Sequence, residues 1–136
     1  MIRARLLAAL PLAAALAAAG CARQEPSPDA AYRALVEAVR ARDSDRAWAL
    51  LSPSTQAWLD ARAKAASRAA PGVVPASGRE LVLGSAALAA RPPKAIVLHR
   101  ESADRAVLQV TGEDGVAQEV TLVRDGSWRV ELPEPR

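Results

Sequence analysis

The sequence of 136 residues contains no phenylalanine, one cysteine, one histidine and only 3% aromatic residues. The single cysteine excludes a disulfide bond within the chain. One histidine and one cysteine are too few for the usual His/Cys zinc sites, and no P-loop, G-x-G-x-x-G or G-x-S-x-G motif occurs. We therefore predict no metal, no cofactor and no catalytic residue.

The chain also has little excess charge of either sign. Its formal net charge of +3 comes from 18 basic and 15 acidic residues, but Arg3 and Arg5 lie in the first 20 residues, which contain no acid. The rest of the chain thus carries 16 basic residues against 15 acidic ones. This near-neutral balance excludes the basic footprint of a nucleic-acid-binding protein, so we expect no nucleic-acid partner.

An apolar run near the N-terminus is too short to span a membrane. It extends from Leu6 to Ala19 after a basic start, and its 14 residues reach only about 21 Å as a helix, against about 30 Å for a bilayer core. This layout is typical of a secretory signal peptide, which we assign to residues 1–20.

The run ends in Ala18-Ala19-Gly20-Cys21, which resembles the lipobox of bacterial lipoproteins. The resemblance implies that signal peptidase II cleaves between Gly20 and Cys21 and that the Cys21 thiol carries a diacyl lipid. In that family the third residue before the cysteine is usually Leu, whereas here it is Ala18. Ala22 follows the cysteine where an Asp would favour the inner membrane, so we expect a lipid anchor in the cell envelope, in the outer rather than the inner membrane.

Two other interpretations of the N-terminus stay open. Ala17-Ala18-Ala19 could serve the ordinary signal peptidase, which would leave Cys21 as a free thiol, or Cys21 could be a structural cysteine. A lone thiol beside a signal peptide favours the interpretation that Cys21 is the lipid acceptor. Residues 21–27 would then form a lipidated N-terminus and a short tether, of which the five residues after Ala22 reach about 17 Å.

The remaining residues, 28–136, predict a single domain that begins with helices. Ser27-Pro28 starts the first helix, which runs to about Arg42, and Asp43-Ser44-Asp45 caps a short second helix. Ser52-Pro53 opens a third helix that ends at about Ala69. In the stretch 77–91, Ser77 and Glu80 suggest a capping box for a short helix, whereas Leu81 to Leu83 could equally form an edge strand.

After Pro92-Pro93 the apolar period changes to two, which predicts four strands over 95–101, 105–111, 117–124 and 128–132. Their links are short, and Asp125-Gly126 indicates a two-residue hairpin, so neighbouring strands must be antiparallel. The fold class is therefore α+β, with three N-terminal helices packed on one face of a curved four-stranded antiparallel meander. One face of this sheet carries the apolar set Leu108, Val110, Val120, Leu122, Trp128, Val130 and Leu132.

The order of these elements resembles that of small bacterial lipoproteins with a nuclear-transport-factor-2-like, cystatin-like cone domain. The resemblance covers Pro28 to Leu132 and is carried by the helical segments 32–43 and 47–52 and by the hairpin 120–130. It implies a cone-like sheet. Because cone domains serve as enzymes, transport adaptors and accessory domains, the fold by itself assigns no function.

A few residues are candidates for a site. His99 alternates with Val97 and could point into a cone pocket as a base, although a half-exposed strand position is the commoner reading; Arg100 would follow Leu98 on the other face. Asp43 and Asp45 are best explained as helix caps. The four aromatic residues could line a pocket, but in a chain without Phe they are first of all core residues; they are Tyr32, Trp48, Trp58 and Trp128.

Two functions remain in view. The favoured one is a non-enzymatic, membrane-anchored envelope lipoprotein whose cone domain binds a protein partner or a small ligand. The alternative is a cone-fold enzyme, similar to an isomerase or dehydratase, that acts on a small molecule through His99 or an inward acid. The two differ in whether a cavity holds a buried titratable group with a shifted pKa.

Overall fold

The computed structural model describes residues 25–83 and 92–136. The signal peptide, Cys21 and the segment 84–91 lie outside the described residues, so the expectations for them stay predictions. No helix in the described ranges is both long and apolar enough to cross a bilayer. In chain order the elements are α1 Pro28–Arg40, α2 Ser44–Ala49, α3 Pro53–Ala69, α4 Gly78–Leu83, β1 Ala95–Glu101, β2 Arg105–Thr111, β3 Ala117–Asp125 and β4 Ser127–Glu131.

Helix α1 begins where the Ser-Pro pair predicted it. Ser27 occupies the N-cap position with extended backbone, and its carbonyl accepts a hydrogen bond from the Ala31 N–H at 3.0 Å, but its side chain makes no capping bond. The helix ends at Arg40, two residues earlier than predicted. Arg42 adopts a positive φ of 56°, a conformation that ends a right-handed helix.

Side-chain caps start the next two helices, as predicted. The Asp43 carboxylate accepts a hydrogen bond from the Arg46 N–H at 3.0 Å, and the Ser52 hydroxyl accepts one from the Thr55 N–H at 3.2 Å. Each cap satisfies a backbone donor that the first helical turn would leave unpaired. The alanine-rich end of α3 contributes little to the core, since Ala63 is the one fully buried residue beyond Leu59 in this helix.

The structure adds a fourth helix to the three that were predicted. Leu81 and its neighbours belong to α4 rather than to an edge strand, and the Ser77 hydroxyl accepts a hydrogen bond from the Glu80 N–H at 3.3 Å. Gly78 brings α4 onto α3, because its N–H donates to the Asp60 carboxylate at 2.8 Å. A β-carbon at Gly78 would lie 2.7 Å from the Asp60 backbone nitrogen, so only glycine allows this approach.

The four strands form an open antiparallel sheet in the order β1-β2-β3-β4, which confirms the meander. The hairpin between β3 and β4 differs from its prediction. Asp125 pairs with Ser127, so Gly126 is the single residue between the strands instead of the predicted two, and it takes a φ of 70°. An α+β architecture with four helices and a four-stranded antiparallel sheet is thus established for the described residues.

The core lies between α1 and the predicted apolar face of the sheet. Trp128 is 4% exposed and Leu108, Leu122 and Val130 are fully buried, which confirms the strand register. Helix α1 packs on this face against β1, β2 and β4, α2 packs on α1, and α3 and α4 pack on each other and add Leu59 and Val82 to the same core.

The outer edge of β4 is covered by the link between α2 and α3. Leu51 forms a parallel bridge to Val130, whose N–H donates to the Leu50 carbonyl and whose carbonyl accepts from the Ser52 N–H, both at 2.8 Å. The next donor along β4, the Leu132 N–H, is bound by the Thr55 hydroxyl oxygen at 2.9 Å. Residues 50–52, which follow α2, therefore protect an edge strand from pairing with another chain.

We expect Thr55→Val to destabilise the fold by about 1–3 kcal/mol. Valine keeps the shape of the side chain but leaves the Leu132 N–H without its acceptor, and Thr55 is fully buried. Urea unfolding of both proteins measures the difference. Ser54→Ala, one residue away, removes an exposed hydroxyl that contacts the Glu131 carboxylate and the Ser52 hydroxyl; because water can replace it, this variant should stay within about 0.5 kcal/mol of the wild type.

Candidate functional site

The sheet is incomplete where β4 stops. β3 has nine residues and β4 has five, and the last pair between them is Thr121 with Glu131. Residues 117–120 therefore have no partner on the β4 side. The chain cannot continue the ladder easily, because Pro133, the next residue after Glu131 on the side that faces β3, has no N–H to donate.

A cavity of about 870 Å³ lies at this overhang of β3. Its walls come from the exposed start of β3, the end of β4 with the three residues that follow, the first two turns of α3, and one residue of α1. This volume is in the range of small-molecule sites in proteins. The lining residues are Tyr32, Ser54, Ala57, Trp58, Gln118, Glu119, Val120, Thr121, Glu131, Leu132, Pro133 and Glu134.

Tyr32 supplies a phenol to this cavity. Burial raises the pKa of its hydroxyl above the ordinary value, so the group stays protonated at neutral pH and is a hydrogen-bond donor rather than a base. Among the described residues nothing forms a hydrogen bond with it, and the hydroxyl is available to a ligand.

The same burial makes the stability sensitive to alkaline pH. A pKa that is raised on folding gives a contribution that is fully present below the pKa of the unfolded chain, about 10, and that is lost as the pH rises through the folded value. We expect the free energy of unfolding to fall more steeply above about pH 10 in the wild type than in Tyr32→Phe. Urea unfolding of both proteins above about pH 10 measures this difference. If the free energies of unfolding of the two proteins fell in parallel, the raised pKa of Tyr32 would be contradicted.

The charged residues that line the cavity are all carboxylates. The Glu131 carboxylate accepts a hydrogen bond from the Ser54 hydroxyl at 2.8 Å and lies 3.7 Å from the Arg105 guanidinium. Glu119 lies 3.9 Å from the Arg100 guanidinium. Glu134 forms no ion pair within the part of the chain that the structure describes.

Two of the four aromatic residues proposed as pocket lining are in the cavity. Tyr32 and Trp58 line it, whereas Trp48 is partly buried against the core. Trp128 is a core residue, which was the favoured of its two predicted roles; the Arg124 guanidinium lies 5.3 Å from its ring centroid, and Trp128 is not part of the lining of this cavity. The carboxylates were not predicted from the sequence, because strand alternation puts Glu119 and Glu131 on the solvent face, and their proximity to the cavity follows from the early end of β4.

His99 does not line the cavity. The β1–β2 register shifts between Leu98 and Arg100, so His99 is the extra residue of a β-bulge, and its side chain is exposed. The bulge also reverses the expected alternation: Arg100 pairs across from Val107 and forms its ion pair on the outer face, instead of following Leu98. The extra residue in β1 thus places both His99 and Arg100 differently from the positions that simple alternation predicts.

The two aspartates between the first helices have structural roles. Asp43 caps α2, as predicted, whereas Asp45 pairs with the Arg79 guanidinium at 2.8 Å and joins α2 to α4. Within the described ranges no group of three or more His, Cys, Asp or Glu side chains could hold a metal ion. The expectation of a metal-free protein stays a prediction.

The chain enters the domain beside the β3–β4 hairpin. The Glu25 carboxylate, three residues before α1, binds the Arg124 guanidinium through two hydrogen bonds. Arg124 also lies over the ring of the buried Trp128, so the described N-terminal end of the chain is attached to the β3–β4 hairpin. This contact is at the opposite end of β3 from the cavity.

A scan against protein-family models gave no match for this chain, and searches of curated proteins and of solved structures gave no significant match.

Proposed function

We propose that the protein is a non-enzymatic lipoprotein, anchored in the cell envelope through Cys21, whose cone-like α+β domain binds a small ligand in the cavity at the β3 overhang. The observation that carries the proposal is this cavity of about 870 Å³, open to solvent, with six apolar or aromatic residues and six polar or acidic residues in its lining. A site of this size that combines apolar surface with polar groups is typical of ligand binding.

The cavity gives less support to the enzyme alternative. The residue nominated as base, His99, lies on an exposed bulge of β1, and the buried titratable residue in the cavity, Tyr32, is held in its protonated form. Neither is placed to remove a proton from a bound ligand. The three carboxylates of the lining are exposed or half-buried, so among the described residues the cavity holds no buried acid of the kind that this alternative requires. We expect His99→Ala to keep the melting temperature, the ligand binding and the cellular phenotype of the wild type; loss of the phenotype alone, with the melting temperature unchanged, would favour the enzyme.

The cavity can be tested with a filled variant and a matched control. Ala57 lines the cavity from α3, whereas Ala61 lies one helical turn further along the same side of α3, outside it, and both are exposed. The full chain is placed in phosphatidylcholine nanodiscs, and naphthylethanol is titrated while the indole N–H resonance of Trp58 is followed, with Trp58→Phe as its assignment. We expect a saturable shift in the wild type and in Ala61→Phe, and none in Ala57→Phe.

Each outcome decides the proposal. A shift that is absent in the wild type, or that persists in Ala57→Phe, would show that the cavity is not a binding site. Circular dichroism melting of the three proteins checks that they are equally folded.

A further inference from the structure

We propose that the ligand of this cavity is an organic monocation with an apolar body, such as a primary amine on an aromatic or alkyl group; the inference rests on the proposed function. Three features of the cavity lead to this class of ligand: the sign of its charges, the number of those charges that are already neutralised, and the apolar surface next to them.

The sign of the ligand's charge is inferred from the residues that line the cavity. Three carboxylates and no lysine, arginine or histidine line the cavity, among the residues that the structure describes. A carboxylate on the ligand would be repelled, and a cationic group would be attracted.

The number of positive charges on the ligand is inferred from the ion pairs that the lining carboxylates already form. Arg105 and Arg100 lie outside the lining and approach Glu131 and Glu119 at 3.7 and 3.9 Å. Glu134 has no such partner within the described residues. One carboxylate is thus left for the ligand, which favours a single positive charge.

A metal cation is a poorer fit than an organic one. The carboxylates belong to β3, β4 and the segment after β4, and they do not form a cluster that could hold a metal ion within the described ranges. Between them lies apolar surface that a hydrated ion could not use but an apolar body could cover. The aromatic rings of Tyr32 and Trp58 would also attract a cation at short range.

A series of three probes with the same ring tests the charge. Naphthylethylamine, naphthylethanol and naphthylacetate are titrated into the full chain in phosphatidylcholine nanodiscs, whose lipid carries no net charge, and the Trp58 indole resonance reports binding. We expect the amine to bind about fivefold more tightly than the alcohol, and naphthylacetate to bind more weakly than both. The preference for the amine should decrease at high salt, because screening weakens the exposed charges.

Two glutamine variants locate the charge. Glu134→Gln should weaken binding of the amine about fivefold and leave that of the alcohol unchanged. Glu101→Gln, which removes an exposed carboxylate at the end of β1 away from the cavity, should change neither.

The results separate the two proposals. Equal affinity for the alcohol and the amine, or an equal effect of Glu134→Gln on both probes, would overturn the monocation while leaving the binding site in place. If no probe gives a saturable shift, the proposed function fails, and the inference with it.

Discussion

Replacing Cys21 with serine is expected to abolish lipidation of the protein and its cleavage by signal peptidase II. The serine hydroxyl cannot form the thioether that carries the diacyl group. Signal peptidase II cleaves proteins of this family only after the cysteine has been modified, so cleavage is lost as well. Intact mass spectrometry of the membrane fraction should show an acylated species that begins at Cys21 in the wild type. In the serine variant it should show the full chain without acyl mass.

The position three residues before the cysteine provides a control for this experiment. Ala18→Leu restores the residue that lipoboxes usually carry, and we expect it to be processed at least as fast as the wild type to the same acylated product. A mature wild-type species that begins at Gly20 with an unmodified thiol would contradict the assignment and favour cleavage after Ala17-Ala18-Ala19.

Trp128→Ala is expected to reduce the free energy of unfolding by about 3–5 kcal/mol. The indole is 4% exposed and belongs to the main core cluster, so truncation leaves a cavity that the surrounding residues cannot fill. It also removes the ring beneath the Arg124 guanidinium. Urea denaturation followed by far-ultraviolet circular dichroism measures the change.

Trp128→Phe is the matched variant, since it keeps an aromatic ring in the core and should lose clearly less stability than the alanine variant. A loss below about 1 kcal/mol in Trp128→Ala would place the indole outside the core and contradict the strand register, which depends on which face each β4 residue occupies.

The strands could be predicted closely because their signal is local. Period-two alternation and turn residues predicted β1 and β2 at their observed bounds and β3 and β4 to within one residue at each end. The starts of α1 and α3 were equally local, since a serine followed by proline marks both. α4 was left open because its six residues are too few for a helical period to be distinguished from a strand.

The features that were not predicted depend on pairing between strands. The bulge at His99 exists because β1 is one residue longer than the stretch of β2 opposite it, and no residue type in the sequence marks that difference. The cavity likewise follows from the unequal lengths of β3 and β4. Pro133 is a local sign that β4 must end, but that α3 would lie close to the uncovered part of β3 is a tertiary property.

The contact between Glu25 and Arg124 also determines how far the domain would lie from the proposed lipid anchor at Cys21. Glu25 is four residues from Cys21, a distance of at most about 14 Å, so an acylated Cys21 would keep the hairpin end of β3 near the lipid headgroups. Glu119 is five residues from Arg124 on the same strand, about 17 Å away. If the proposed anchor and ligand are correct, β3 would act as a rigid spacer between them, and a ligand could enter from the aqueous compartment without the domain leaving the membrane surface.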